Sequence, residues 1–123
     1  MPARILVVDD EAMLRRLMVR ALIEAGYLVQ EASDGRSGLD LARAAPIPFD
    51  LVITDSRLPG LSGPDLVKQL REVDPSLPII NVSGSHGERT ASYTVLPSNV
   101  PTLFKPFELS ELVRLTGELL AEA

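Results

Sequence analysis

The sequence has 123 residues, of which 46% are hydrophobic and 24% are charged; this is the composition of an ordinary globular domain and excludes disorder or a fibrous repeat. Its 12 Lys and Arg residues against 17 Asp and Glu residues give a net charge of -5, which argues against direct binding to nucleic acid. The absence of cysteine excludes disulfides, thiolate metal sites and cysteine nucleophiles.

The N-terminal segment predicts a buried strand. Residues 5–8 are apolar and two acids follow them, so this run is far too short for a signal peptide or a membrane span. A short apolar run without alternation is typical of a strand that is covered on both faces of a parallel sheet. We therefore expect a cytoplasmic protein without a membrane segment, and a single domain over residues 1–123.

Helix and strand patterns alternate along the rest of the chain. The predicted helices, with apolar residues at three- and four-residue steps, cover residues 12–25, 38–45, 66–73 and 108–121. The further predicted strands, which are short apolar runs, cover residues 28–32, 51–53, 79–82 and 102–105. Gly and Pro in residues 84–101 leave room for only a short helix near residues 88–93.

This alternation predicts an α/β fold, with a doubly wound five-stranded parallel sheet and helices on both of its faces. Ligands of such sheets bind beyond the carboxyl ends of the strands. We therefore expect the functional residues at the carboxyl ends of the predicted strands.

Polar side chains follow four of the predicted strands. Asp9 and Asp10 end the first strand, Asp55 the third, Ser83 the fourth and Lys105 the fifth. Helix capping alone would explain Ser83, but two carboxylates about 4 Å apart repel by about 1 kcal/mol in water and by about 4 kcal/mol at an effective dielectric of 20. Mg²⁺ would relieve this repulsion. Asp55 could then act as a nucleophile toward phosphorus, with Lys105 beside the phosphate.

Four motifs at these strand ends, in the order ILVVDDE, LVITDSRLPGLSG, INVSG and LFKPF, together resemble the receiver domains of bacterial response regulators over essentially the whole chain. The resemblance, which extends to the chemotaxis regulators, implies the flavodoxin-like strand order 2-1-3-4-5 with a short or irregular fourth helix. It also implies a phosphoacceptor switch of a two-component phosphorelay. Such a switch catalyses its own phosphorylation and slow dephosphorylation without being a turnover enzyme.

The resemblance implies specific roles for the polar residues. Asp9, Asp10, Asp55 and the backbone carbonyl of Arg57 would hold Mg²⁺, and Asp55 would accept the phosphoryl group from a phosphohistidine. Ser83 would bind a phosphoryl oxygen. The implied partners are a histidine kinase or a histidine phosphotransfer protein and an unknown downstream protein, and the chain itself would be a monomer or a weak homodimer.

The resemblance also assigns the residues around these groups. Lys105 would clamp the phosphoryl group, and the peptide bond to Pro106 would be cis. Gly84 would be the small residue beside the phosphate-binding hydroxyl. Pro59 and Gly60 would shape the backbone of the loop after the phosphoacceptor.

Two positions depart from the family pattern and leave alternatives open. Thr102 stands where the family usually has an aromatic side chain that reads out phosphorylation, so a binding module that does not depend on phosphorylation is the alternative function. Arg57 stands where Met or Asn is common, and its side chain would either tune the lifetime of the phosphorylated state or point to solvent. A phosphatase with an aspartate nucleophile would need an acid at that position. Glu11 would either bind the metal or compensate charge at the helix start.

Overall fold

The computed structural model describes residues 2–84 and 99–122. Within these residues lie five strands and four helices, which in chain order are β1 (Arg4–Val8), α1 (Ala12–Glu24), β2 (Leu28–Ala32), α2 (Gly35–Ala44), β3 (Leu51–Asp55), α3 (Gly63–Val73), β4 (Ile79–Ser83), β5 (Thr102–Phe104) and α4 (Leu109–Glu122). The short helix predicted near residues 88–93 lies outside the described residues.

The five strands form one parallel sheet in the order β2-β1-β3-β4-β5. The predicted α/β class and strand order are therefore confirmed. Because the chain winds in opposite directions from the centre of the sheet, β1 and β3 are neighbours whose connections leave on opposite faces, which opens a crevice at their carboxyl ends. Val8 lies opposite Thr54 in this pair, so the residues that follow each strand emerge side by side.

Apolar side chains cover both faces of the sheet. Along β1, Leu6 and Val8 belong to the core cluster that packs under α2 and α3, whereas Ile5 and Val7 belong to the cluster under α1 and α4. All four side chains are buried, which explains why this strand has no alternation in its sequence. The carboxyl end of β1 is thus anchored from both sides.

Helices α2 and α3 each begin three residues before the predicted start. Side-chain caps explain the difference, since Asp34 accepts a hydrogen bond from the backbone N–H of Ser37 at 2.7 Å and Ser62 accepts one from Asp65 at 3.2 Å. Such caps satisfy backbone donors that the first turn of a helix leaves free. Gly35 and Gly63, which follow the two caps, are the first residues of their helices.

Candidate functional site

Three carboxylates meet where β1 and β3 end. One oxygen each from Asp9, Asp10 and Asp55 lies within 4.8 Å of the other two, and Asp10 alone of the three is exposed. The parallel pairing of β1 with β3 brings them together, as expected from their positions at the strand ends. Ionised groups at this spacing repel one another unless a cation offsets their charge.

Asp9 is a buried carboxylate whose ionised form is disfavoured by its surroundings. Its side chain is fully buried, and Oδ1 accepts a hydrogen bond from the backbone N–H of Glu11 at 2.7 Å. Among the described residues, Oδ2 has no hydrogen-bond donor. Burial raises the pKa of Asp9 to about 6 against the effect of the Glu11 bond, and the charge of Asp55 adds to the increase. A buried carboxylate oxygen without a donor fits a hard cation such as Mg²⁺, which binds oxygen ligands.

Lys105 reaches into the cluster from the loop after β5. Its Nζ lies 2.9 Å from Asp55 Oδ2, 3.6 Å from Glu11 Oε1 and 3.9 Å from Asp9 Oδ2. Burial lowers the pKa of Lys105, but the hydrogen bond and charge of Asp55, together with the charges of Asp9 and Glu11, outweigh it and raise the pKa above its ordinary value. The ammonium group therefore offsets part of the negative charge. The peptide bond between Lys105 and Pro106 is cis, as the resemblance implied.

The loop after Asp55 folds back over that carboxylate. Asp55 Oδ1 accepts a hydrogen bond from the backbone N–H of Arg57 at 3.0 Å, while the Arg57 residue itself is exposed. Gly60 has a φ of 78°, a conformation that favours glycine; the backbone role expected for Pro59 stays a prediction. A groove of about 430 Å³ beside this loop is lined by Asp10, Ser56, Arg57, Leu58, Pro59 and Ser62.

Hydroxyl groups border the cluster on the β4 side. Ser83 is buried at the end of β4, and Ser56 Oγ lies 3.5 Å from Ser83 Oγ. Gly84 follows Ser83 and is half-buried. Sequence reasoning missed Ser56, although its position directly after Asp55 was the available signal. Thr102 lies in register with Asn81, two residues before Ser83, and accepts a hydrogen bond from Asn81 Nδ2 at 3.3 Å.

Sequence reasoning also missed the ion pair between Arg15 and Glu31, which lies beside Asp9. The side chain of Arg15 in α1 bonds the backbone carbonyl of Asp9 at 2.8 Å and the carboxylate of Glu31 in β2 at 2.7 Å. Helical periodicity gives no signal for such a contact. Glu11 is 60% exposed and its Oε1 lies 3.6 Å from Lys105 Nζ; its two alternative roles stay predictions.

The family model of the response regulator receiver domain matches residues 5–116. The chain belongs to this family. It is therefore a receiver domain of two-component signalling, and the family supports the role of a phosphorylation switch.

Individual relatives agree with this assignment. The chain is 33% identical to the response regulator receiver protein CpdR of Brucella abortus, and the match covers 98% of each chain. It is 40% identical to a probable transcriptional regulatory protein of Picosynechococcus sp. over 96% of this chain. A receiver domain structure from Clostridium thermocellum matches with a TM-score of 0.86 and 27% identity, over 98% of this chain and 95% of that one.

The extent of the matches differs between relatives. This chain spans 49% of the length of the Picosynechococcus relative and 12% of the sensor kinase CckA of Brucella abortus, to which it is 34% identical. Throughout the part of the chain that the structure describes, no helix has both the length and the apolar character that crossing a membrane requires.

Proposed function

We propose that Asp55 is the phosphoacceptor and that Asp9, Asp10, Asp55 and the backbone carbonyl of Arg57 hold Mg²⁺. The observation that carries this proposal is the convergence of three carboxylates within 4.8 Å, with the buried Oδ2 of Asp9 left without a donor among the described residues. Mg²⁺ would supply charge neutralisation for the incoming phosphate.

The proposed reaction is phosphoryl transfer to the Asp55 carboxylate. One Asp55 oxygen forms a bond to phosphorus while the bond from phosphorus to the donor nitrogen or oxygen breaks, which leaves an acyl phosphate on Asp55. Lys105 Nζ, 2.9 Å from Asp55 Oδ2, would shift its hydrogen bond to the phosphoryl group. Ser83 would donate its hydroxyl to another phosphoryl oxygen, and Gly84 beside it would leave room for that group.

Acetyl phosphate and Mg²⁺ test the assignment of Asp55 directly. The wild-type chain should gain the mass of one phosphoryl group in intact-mass spectrometry, and both Asp55→Asn and removal of Mg²⁺ with EDTA should abolish the gain. Asp40→Asn is the matched control, because it removes an exposed carboxylate from α2, far along the chain from the cluster. Phosphorylation of Asp55→Asn to the wild-type level would disprove the assignment.

The alternative is a receiver-fold binding module whose output does not depend on phosphorylation. The observation in its favour is that Thr102 replaces the usual aromatic and is engaged by Asn81 at 3.3 Å. The same experiment separates the two functions when NMR spectra are recorded with beryllofluoride as the phosphoryl mimic. Shifts confined to the acidic cluster, with none reaching β5, would favour the binding module.

A histidine kinase or a histidine phosphotransfer protein is the proposed donor, and an unknown protein is the proposed downstream target. Met13 and Leu17 of α1 are 75% and 46% exposed, one helical turn apart, and Arg16 lies between them. This surface next to the acidic cluster suits a helical partner. We retain from the sequence the predictions of one domain over residues 1–123, a cytoplasmic location, a monomer or weak homodimer, and no direct nucleic-acid binding.

A further inference from the structure

We propose that Arg15 is a positioning residue for the Mg²⁺ site, which holds the Asp9 backbone in the orientation that metal binding needs. The inference rests on the proposed function, because it concerns the same metal site. Arg15 belongs to α1 and does not contact the carboxylate oxygens of Asp9 directly; it acts through the backbone of Asp9 and through Glu31 of the edge strand β2.

One guanidinium group joins three structural elements at this point. Arg15 Nη1 donates to the backbone carbonyl oxygen of Asp9 at 2.8 Å, and Arg15 Nε donates to Glu31 Oε1 at 2.7 Å. The Arg15 side chain is 14% exposed and that of Glu31 is 41% exposed. The planar fork of a guanidinium can satisfy two acceptors in fixed directions at once. Arg15 thus ties the loop after β1 to both α1 and β2.

The contacts around Asp9 determine its orientation. Its backbone N–H donates to Ala32 O at 3.1 Å, its carbonyl accepts from Arg15, and its Oδ1 accepts from the Glu11 N–H. Within the described residues, these bonds fix the direction of the Asp9 carboxylate and leave Oδ2 without a donor, and one oxygen of this carboxylate lies within 4.8 Å of one oxygen each from Asp10 and Asp55. Removing the Arg15 bond would free one of the restraints on that direction.

The direction in which Arg15→Gln changes Mg²⁺ affinity distinguishes a positioning role of Arg15 from a purely electrostatic one. Arg15 places a positive charge near a cation site, so electrostatics alone predicts that Arg15→Gln would tighten Mg²⁺ binding. Positioning predicts the opposite, because loss of an outer partner of a metal ligand typically costs about 10- to 100-fold in affinity. Arg15 bonds the backbone rather than the carboxylate of Asp9, so we expect the low end of that range.

Mg²⁺ titration by calorimetry, with NMR detection of the Asp10 amide, tests the proposal. Arg15→Gln should weaken Mg²⁺ binding by about tenfold and should shift the Asp10 amide resonance in the metal-free protein. Arg20→Gln is the matched control, since it removes the same charge from an exposed position of α1 and should leave affinity unchanged or slightly higher. Unchanged or tighter binding by Arg15→Gln would overturn the proposal.

Two further variants keep the test decisive. Arg15→Lys retains the charge but lacks the planar fork that places two separate nitrogens against the two acceptors, so it should also weaken binding, and it carries the test if Arg15→Gln does not fold. Glu31→Gln should weaken binding in the wild-type background but cause no further loss on top of Arg15→Gln. If the wild-type chain binds no Mg²⁺, the proposed function and this inference fail together; if it binds and all Arg15 variants bind equally, only this inference fails.

Discussion

Replacing Asp9 by Asn should stabilise the metal-free protein at neutral pH. Burial raises the pKa of Asp9 from 3.8 to about 6, a difference that corresponds to about 3 kcal/mol at about 1.4 kcal/mol per pH unit. Because the exposed Asp10 opens the cluster to solvent, we expect a gain of about 1 to 2 kcal/mol in the free energy of unfolding. Asn retains the acceptor for the Glu11 N–H and removes the ionised oxygen that has no donor.

The pH dependence follows from the same pKa. In the unfolded chain Asp9 titrates near 3.8, and in the metal-free folded chain near 6. Above pH 6 both states are ionised and the folded state bears the full cost, whereas below about pH 4 both are protonated and the cost vanishes. The advantage of Asp9→Asn should therefore be complete above pH 6 and should shrink as the pH falls toward 4.

Urea unfolding in EDTA at pH 7.5 and at pH 4.5 measures this difference, and Asp40→Asn in α2 controls for the loss of one negative charge from the whole chain. Most substitutions at buried positions destabilise a protein, so a gain would be diagnostic. Destabilisation by Asp9→Asn at pH 7.5, or an equal gain at both pH values, would refute the reasoning. Addition of Mg²⁺ should reverse the order, since wild type gains binding energy that the variant cannot.

Three further predictions concern neighbouring groups. Lys105→Gln should lower the free energy of unfolding of the metal-free protein by about 1 to 3 kcal/mol in urea. The same variant should tighten Mg²⁺ binding in calorimetry, because it removes a cation 2.9 Å from Asp55. Weaker Mg²⁺ binding would contradict this prediction. Gly63→Ala would bring a Cβ within 2.5 Å of the Asp55 backbone oxygen and should cost about 1 to 3 kcal/mol, whereas Gly117→Ala in α4, with 3.6 Å of clearance, should raise the melting temperature. Arg57→Ala retains the backbone bond to Asp55, so a changed dephosphorylation rate would report the side chain alone, and an unchanged rate would exclude the lifetime role.

The strands were predictable from sequence to within a residue or two at each end. In β1, β3 and β4 the reason is a mainly apolar run that both faces of the sheet bury, whereas β2 and β5 are more exposed. The starts of α2 and α3 were not, since local capping by Asp34 and Ser62 extends each helix by one turn beyond its apolar pattern. The apolar periodicity of a helix reports the face that packs on the sheet. It does not report the first turn, where packing is replaced by hydrogen bonds.

The acidic cluster was predictable because strand ends in a parallel sheet share one edge, so the position of each acid after its strand fixed its neighbours. The distribution of charge within the cluster was not. Asp55 is paired with Lys105 at 2.9 Å, a contact between residues 50 positions apart, whereas Asp9 is left with an oxygen that has no donor in the described part of the chain. The repulsion between carboxylates that was inferred from sequence therefore disfavours the ionised form of Asp9.

In the metal-free site, the positive charge of Lys105 therefore lies closer to Asp55 than to Asp9. Lys105 Nζ hydrogen-bonds the proposed phosphoacceptor at 2.9 Å, whereas it lies 3.9 Å from Asp9 Oδ2, the oxygen that has no donor among the described residues. We expect Mg²⁺ to bind this oxygen while Lys105 stays against Asp55, so that both cations act on the same phosphate. If Mg²⁺ binding instead required Lys105 to leave, then Lys105→Gln would tighten Mg²⁺ binding far more than the loss of one neighbouring charge predicts, and calorimetry on that variant would reveal it.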